Sequence, residues 1–492
     1  MGRFCALVLL LCAAWAPSEA KIKLPAIVGD NMVLQQSCEV KLWGWAAPEA
    51  EVSVAPSWCG AVRTQADKKG RWCVTVATPA ASFEPRSIAL GDGDGEPVVL
   101  KNILIGEVWL CSGQSNMEIP VQGGRDCPIE HAQEIIAESA QYPDVRLFSV
   151  KIDGGLRPRE DVTGAWCEAS PGSVKTFSAI GYLFGRNLRR ALNVPVGIIN
   201  SSCGGTWIEA WFPASLQRGF ADFDPASVAT REGKSGMNTV EILYNGMIYP
   251  LHNFAIKGFC WYQGCSNVGR STHYAEKMVA MIDHWRALWG GERKPFYYVE
   301  IAPHEDGEEN VNEALVREQQ ARVMDMTDNV GMVSTNDLVY DYERWNVHPS
   351  QKEPIAQRLA YWALSRDYGY GDAIKTIGPR YKSMEVLEGG VVRLSFDGSD
   401  CGFLVKGEIE GFELAGADGK FHPARAHGAL RLDLCRGRTQ IRALQLQELQ
   451  HRASVGRLRA ARDSVPHGRF RRIEPVRRAR PGKGACPPGR RR

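Results

Sequence analysis

Val108-Trp109-Leu110-Cys111-Ser112-Gly113-Gln114-Ser115-Asn116-Met117 is an apolar strand candidate that runs straight into a polar turn. A nucleophilic serine needs such a turn, because it exposes the hydroxyl and aims backbone N–H groups at a developing oxyanion. Gly113 permits the turn and Asn116 can hold it. Taken alone, the same letters also read as an ordinary polar loop after a strand. What surrounds them decides between the two.

Outward from this stretch, apolar strands alternate with helical patterns. Val145 to Val150, Val196 to Asn200, Gly258 to Tyr262 and Phe296 to Ile301 are strand candidates. Ile129 to Ala140, Ala179 to Leu192, Tyr274 to Leu288 and Glu313 to Met326 carry helical spacing. Strand and helix in alternation predict a mostly parallel sheet with helices on both faces, a three-layer α/β/α domain over about residues 101–370. Sites in such folds lie at the carboxyl ends of strands.

Two more polar loops follow strands. Asn200-Ser201-Ser202-Cys203-Gly204-Gly205-Thr206 follows the Val196 run, and Gly204 and Gly205 let backbone amides approach a bound ester. Trp261-Tyr262-Gln263-Gly264 closes another strand. Gln263 offers a side-chain N–H, and Trp261 and Tyr262 offer faces for a sugar ring. Each loop alone is weak evidence, since a Gly-Gly turn is usually only a turn. The serine also needs a base. His131, His273 and His284 lie in or beside helical stretches and read as packing or surface residues. His348 stands in a loop, in Asn346-Val347-His348-Pro349, before the helical run Lys352 to Ala363. Pro349 restricts His348 to extended backbone, and a loop histidine beyond the last strand suits a general base.

The flanks are different. Residues 21 to about 100 read as a β-rich module, with Asp67-Lys68-Lys69-Gly70 as a hairpin turn into the strand Trp72 to Val76. Residues 371–435 are β-like again, as in Val391 to Phe396. Residues 1–20 resemble a secretory leader: Arg3, then the apolar run Phe4 to Ala16, then Ser18 and Ala20 at a small-residue cleavage site. The mature chain is then expected to begin near Lys21, in a secreted, lumenal or periplasmic setting. Twelve of the fourteen cysteines lie beyond this leader, which suits disulfides. No Cys-x2-Cys pair suggests zinc.

Net charge divides the chain. Residues 436–492 hold 17 Lys+Arg against 3 Asp+Glu, which leaves 42 basic and 53 acidic residues in the rest. An acidic body argues against nucleic acid as a partner, and no run is apolar enough for a membrane span. The tail has no Trp or Tyr and a single Phe, Phe470. It reads as non-native sequence from a shifted reading frame, or as a disordered or basic tail that binds acidic glycans or a membrane surface, and is expected to add no strand to the body.

Gly113-Gln114-Ser115-Asn116-Met117, Gly204-Gly205-Thr206, Trp261-Tyr262-Gln263-Gly264 and His348-Pro349 together resemble the sialate O-acetylesterase family of the SGNH hydrolase superfamily. Asp30-Asn31-Met32-Val33-Leu34-Gln35 and Gly106-Glu107-Val108-Trp109 extend the resemblance into the N-terminal module. It implies an SGNH-hydrolase (flavodoxin-like) catalytic domain flanked by β-rich modules. It also implies hydrolysis of O-acetyl esters on sialic acid, with Ser115 as nucleophile, His348 as base and no cofactor or metal. The implied oxyanion hole is the Ser115 N–H, Gly204 or Gly205, and the Gln263 side chain. Asn116, Trp261 and Tyr262 are the expected substrate-binding residues. The Gly-Gln-Ser-Asn motif also occurs in related carbohydrate esterases, so an acetylated polysaccharide such as xylan is the alternative substrate and an inactive carbohydrate-binding relative the alternative to an enzyme.

Two positions depart from the pattern. SGNH enzymes often carry Asp three residues before the histidine, where this chain has Trp345, with Asn346 next to it. Asp337, Asp341 or a backbone carbonyl could orient His348 instead, and Asp337 is preferred because it follows the strand-like Val330 to Val333 run. Cys265 stands where relatives usually have Glu, and it could pair with Cys260.

Overall fold

The strand Val98–Gly113 is the spine of the computed structural model, which describes residues 22–93, 96–228, 236–305, 312–387, 391–398, 408–415, 421–428 and 440–445. From Ile103 to Gly113 it is buried without a break. Continuous burial marks a parallel strand covered on both faces. Val196–Ser202 pairs with it on one side and Gly258–Tyr262 on the other, both parallel. Val145–Ser149 and the antiparallel Trp166–Glu168 extend the first side. Phe296–Val299 and Val330–Val333 extend the second.

Chain order within this sheet locates the site. From the central strand the chain goes out to Val145–Ser149, returns to Val196–Ser202, then crosses to Gly258–Tyr262 on the opposite side. That reversal leaves a crevice at the carboxyl end of the central strand, where Gly113 ends it.

Side chains alternate between the faces, as the pleat requires. Trp109, Ile198, Cys260 and Tyr262 meet the helices Ala179–Leu192 and Lys352–Asp367 on one face. Leu110, Ile199, Phe259 and Trp261 meet Met278, Met281 and Trp285 of the helix Tyr274–Leu288 on the other. The expected three-layer α/β/α arrangement is the one observed. Ser178 starts the Ala179–Leu192 helix: its Oγ accepts from Gly181 N at 2.9 Å and donates to Met117 O at 2.6 Å. One cap therefore fixes a helix and ties it to the turn beyond Ser115.

The N-terminal module is continuous with this domain. Val33–Gln35 pairs with Leu104–Gly106, and Ser82–Gly91 pairs with the first half of the same long strand. The boundary expected near residue 100 thus falls inside one strand. The turn at Asp67–Gly70 forms, with Asp67 Oδ1 accepting from Lys69 N and Arg71 N. Its strand Arg71–Ala77, however, pairs with Glu39–Trp45 and not with the preceding Val62–Gln65.

A second unit carries a five-stranded antiparallel sheet. Its order is Arg380–Val386, Val392–Asp397, Gln440–Gln445, Phe421–Gly428, Glu408–Ala415. The expectation that nothing after residue 435 contributes a strand is therefore corrected: Gln440–Gln445 lies between two others, paired to both. The leader-like residues 1–20 and the tail from 446 lie outside the described residues.

The expectation of disulfides is also corrected within the described residues. Cys111, Cys203 and Cys260 are buried thiols and Cys59, Cys73 and Cys167 exposed ones. The Cys260–Cys265 pair is not formed. Among the described residues no helix is long and apolar enough to cross a membrane.

Gly113 has φ +137°, and a β-carbon there would stand 2.2 Å from Tyr262 O. No flexible side chain can give way, since the obstacle is backbone of the neighbouring strand. Gly113→Ala is expected to abolish soluble, folded protein or lower its melting temperature sharply. A melting curve matching wild type would contradict this account of the turn.

Candidate active site

Gln114 sets the turn after Gly113. Its backbone N–H donates to Tyr262 O at 2.9 Å, and its Oε1 accepts from Gly264 N at 2.9 Å. The side chain thereby binds the loop after Gly258–Tyr262 to the loop after the central strand. Ser115 then opens the short helix Ser115–Glu118. At this first helical position its amide has no partner within the helix and is available to a ligand.

His348 reaches Ser115 across 233 positions of sequence: Nε2 lies 2.8 Å from Ser115 Oγ. Three side chains hold its loop. Asn116 Nδ2 donates to Val347 O at 2.9 Å. Asn346 Oδ1 accepts from His348 N at 2.9 Å, while its Nδ2 donates to Asp126 O at 2.9 Å. Lys352, 1% exposed, donates from Nζ to Asn116 Oδ1 at 2.6 Å. Burial pushes this lysine down to about 7.

Several expected roles fall to other residues. Asp337 does not orient His348: its two carboxylate oxygens take Arg358 Nη1 at 2.8 Å and Nη2 at 2.5 Å. Asp341 pairs with Arg344 at 2.8 Å. What stands 3.3 Å from His348 Nδ1 is the sulfur of Cys127. Trp345, at the position where SGNH enzymes carry Asp, is exposed. Its neighbour Asn346 holds the histidine's backbone and not its ring.

Gln263 is not placed to hold an oxyanion. It is wholly buried, and its amide group donates to Thr206 O at 2.9 Å and Asn267 Oδ1 at 2.7 Å while accepting from Tyr274 O–H at 2.8 Å. It fastens the Gly204–Thr206 loop to the sheet. Trp261 and Tyr262 are wholly buried on opposite faces of the sheet, so neither offers a ring to a sugar. Asn116, 1% exposed, is a framework residue rather than a substrate contact. The reason is common to all four. They lie on or within a turn of the strand ends, where the pleat and the covering helices consume both faces.

Gly204 and Gly205 are exposed, and a β-carbon on Gly204 would come within 3.3 Å of Ser115 Cβ. The Gly204 amide is engaged by a residue the sequence did not flag. It donates to Glu118 Oε2 at 2.5 Å. Burial raises the Glu118 carboxyl above its ordinary value, against the lowering effect of that amide. A carboxyl oxygen thus already occupies the Gly204 N–H. Cys127 carries no motif or spacing that could have exposed it. Glu118, one turn after Ser115, could have been found by asking which side chain shares the serine's helix face.

The profile of a family described as "Carbohydrate esterase, sialic acid-specific acetylesterase" matches residues 105–365. The chain is 29% identical over 417 residues to sialate O-acetylesterase of Pongo abelii and 28% identical over 417 residues to that of Homo sapiens. Each match covers 78% of this chain and 78% of the relative. A novel carbohydrate acetylesterase from Xanthomonas citri has a similar crystal structure, with TM-score 0.75 and 30% identity, covering 86% of this chain and 91% of that one.

Gln263→Ala is expected to cost on the order of 3 kcal/mol in chemical denaturation, because it removes three buried hydrogen bonds and leaves a cavity among Thr206, Asn267 and Tyr274. Loss of turnover at unchanged stability would instead restore an oxyanion role. Glu118→Gln tests the carboxyl's environment. The unfolded side chain ionises at its ordinary value and the folded one above it, so this group's contribution falls as pH rises through that window. The variant is expected to melt higher than wild type at neutral pH and to gain nothing below the ordinary carboxylate range. An equal gain at both pH values would contradict it.

Proposed function

The chain belongs to the sialic acid-specific acetylesterases, a carbohydrate esterase family, and we propose that it hydrolyses O-acetyl esters of sialic acids with Ser115 as nucleophile and His348 as base. The observation that carries the reading is the 2.8 Å contact between Ser115 Oγ and His348 Nε2 at the carboxyl end of the central strand. Contact at this distance allows direct proton transfer.

The steps follow from that geometry. Ser115 Oγ attacks the acetyl carbonyl as its proton passes to His348 Nε2. The carbonyl oxygen becomes an oxyanion beside the amides of Ser115 and of Gly204 or Gly205, with Glu118 withdrawing from the Gly204 N–H. His348 returns the proton to the sugar oxygen as the ester C–O bond breaks. Water, deprotonated by the same imidazole, then releases acetate from Ser115. Export from the cytoplasm belongs to the same proposal and rests on the leader-like residues 1–20. Secreted protein is expected to begin near Lys21 by mass spectrometry.

Ser115→Ala is expected to remove nearly all acetate release from a small chromogenic acetyl ester, by roughly a thousandfold or more, with the fold intact. Retention of a third of wild-type turnover would sink the serine mechanism. Side-by-side assays on O-acetylated sialic acid and acetylated xylan test the substrate: the first should be the better substrate by kcat/KM. Binding of sialic acid with no acetate release would identify an inactive carbohydrate-binding relative.

A further inference from the structure

We infer that Cys127 is a positioning residue that orients His348 through its Nδ1 atom, in the place where the family's acid was expected. The inference rests on the serine–histidine reading above and adds a third member to it.

The geometry is specific. Cys127 Sγ lies 3.3 Å from His348 Nδ1, within hydrogen-bond range for sulfur, while Nε2 lies 2.8 Å from Ser115 Oγ. For the serine hydroxyl to donate to Nε2, the ring hydrogen must sit on Nδ1, where it points at the sulfur. The contact does not come from a wandering loop. Gly124 and Cys127 close on each other by two backbone hydrogen bonds, Gly124 N to Cys127 O at 3.1 Å and Cys127 N to Gly124 O at 3.2 Å. Asn346 joins that turn to the histidine loop, since one amide side chain binds both Asp126 O and His348 N. Sulfur and imidazole are thus presented to each other from two loops by a shared clamp.

The chemistry of sulfur sets the consequence. A thiol is a weaker acceptor than a carboxylate, and burial raises the Cys127 thiol above its ordinary value, so it stays protonated and neutral at neutral pH. It can hold the productive tautomer. It gives the imidazolium that forms during attack less support than an anion would. Cys127 can also donate its own S–H to a bare Nδ1 as a hydrogen bond; the ring hydrogen then sits on Nε2, which cannot accept from Ser115. A carboxylate at this position has neither handicap.

The test is steady-state kinetics on a small chromogenic acetyl ester with Cys127→Ala, Cys127→Asp and Cys127→Ser, beside Ser115→Ala and with melting curves for all. Cys127→Ala is expected to lower kcat about tenfold with KM little changed, and Cys127→Asp to restore or exceed wild-type turnover. A purely structural cysteine gives the reverse order, because a charged side chain disturbs packing more than alanine does. If Cys127→Ala melts early, Cys127→Ser carries the comparison, with Cys127→Asp expected above it. Wild-type kcat in a well-folded Cys127→Ala, or turnover in Cys127→Asp no better than in the alanine or serine variant, overturns the inference. An active Ser115→Ala would overturn the serine reading itself, a different result from a dead Ser115→Ala beside an unaffected Cys127→Ala.

Discussion

The site depends on how closely Gly113 approaches the carbonyl of Tyr262. Two parallel strands run side by side to their ends, and at the last pair one of them turns away. Only a residue without a β-carbon fits there, and only at a φ that glycine tolerates. The next residue, Gln114, donates its backbone N–H to Tyr262 O and accepts from Gly264 N at Oε1, so the position of Ser115 is inherited from the sheet and not from a flexible loop. His348 is fixed with similar economy. Asn116, Lys352 and Asn346 hold its loop from three directions, and none of them touches the ring.

The Ser115 hydroxyl and His348 imidazole are thus preorganised, while the Gly204 amide beside them is already engaged. Glu118 Oε2 lies 2.5 Å from that amide. Displacing it costs energy that a neutral acetyl carbonyl repays little and a full oxyanion repays well. In the proposed reaction this donor therefore turns to the substrate only as the full oxyanion forms.

The sequence revealed the fold through its alternation of apolar strands with helical spacing, and the strand and helix spans from Val145 to Met326 match the observed elements closely. It pointed to Ser115 and His348, each in a short motif with its own mechanical reason, and the two side chains do meet. It did not reveal the roles of Gln263, Trp261 and Tyr262, which looked exposed because they end a strand; burial by helices distant in sequence decides that question. Nor did it reveal Cys127, whose function depends on a contact between positions 221 apart with no periodic signal to announce it. Asp337 follows the last strand closely in sequence, but Arg358 of the helix Lys352–Asp367 holds its carboxylate. The strand at Gln440–Gln445 is a different lesson: composition argued against a core, yet a sheet accepts any backbone with free donors and acceptors in register.

The Val98–Gly113 strand serves two masters, pairing with the N-terminal module along its first half and with the catalytic sheet along its second. In evolutionary terms this forbids modularity. A recombination event that removed the module would not shed an accessory domain; it would strip partners from the strand that leads into the Ser115 turn. The module and the catalytic sheet must therefore be inherited together, so lineages of this enzyme would diversify by altering loops at the crevice and not by exchanging the module at its entrance.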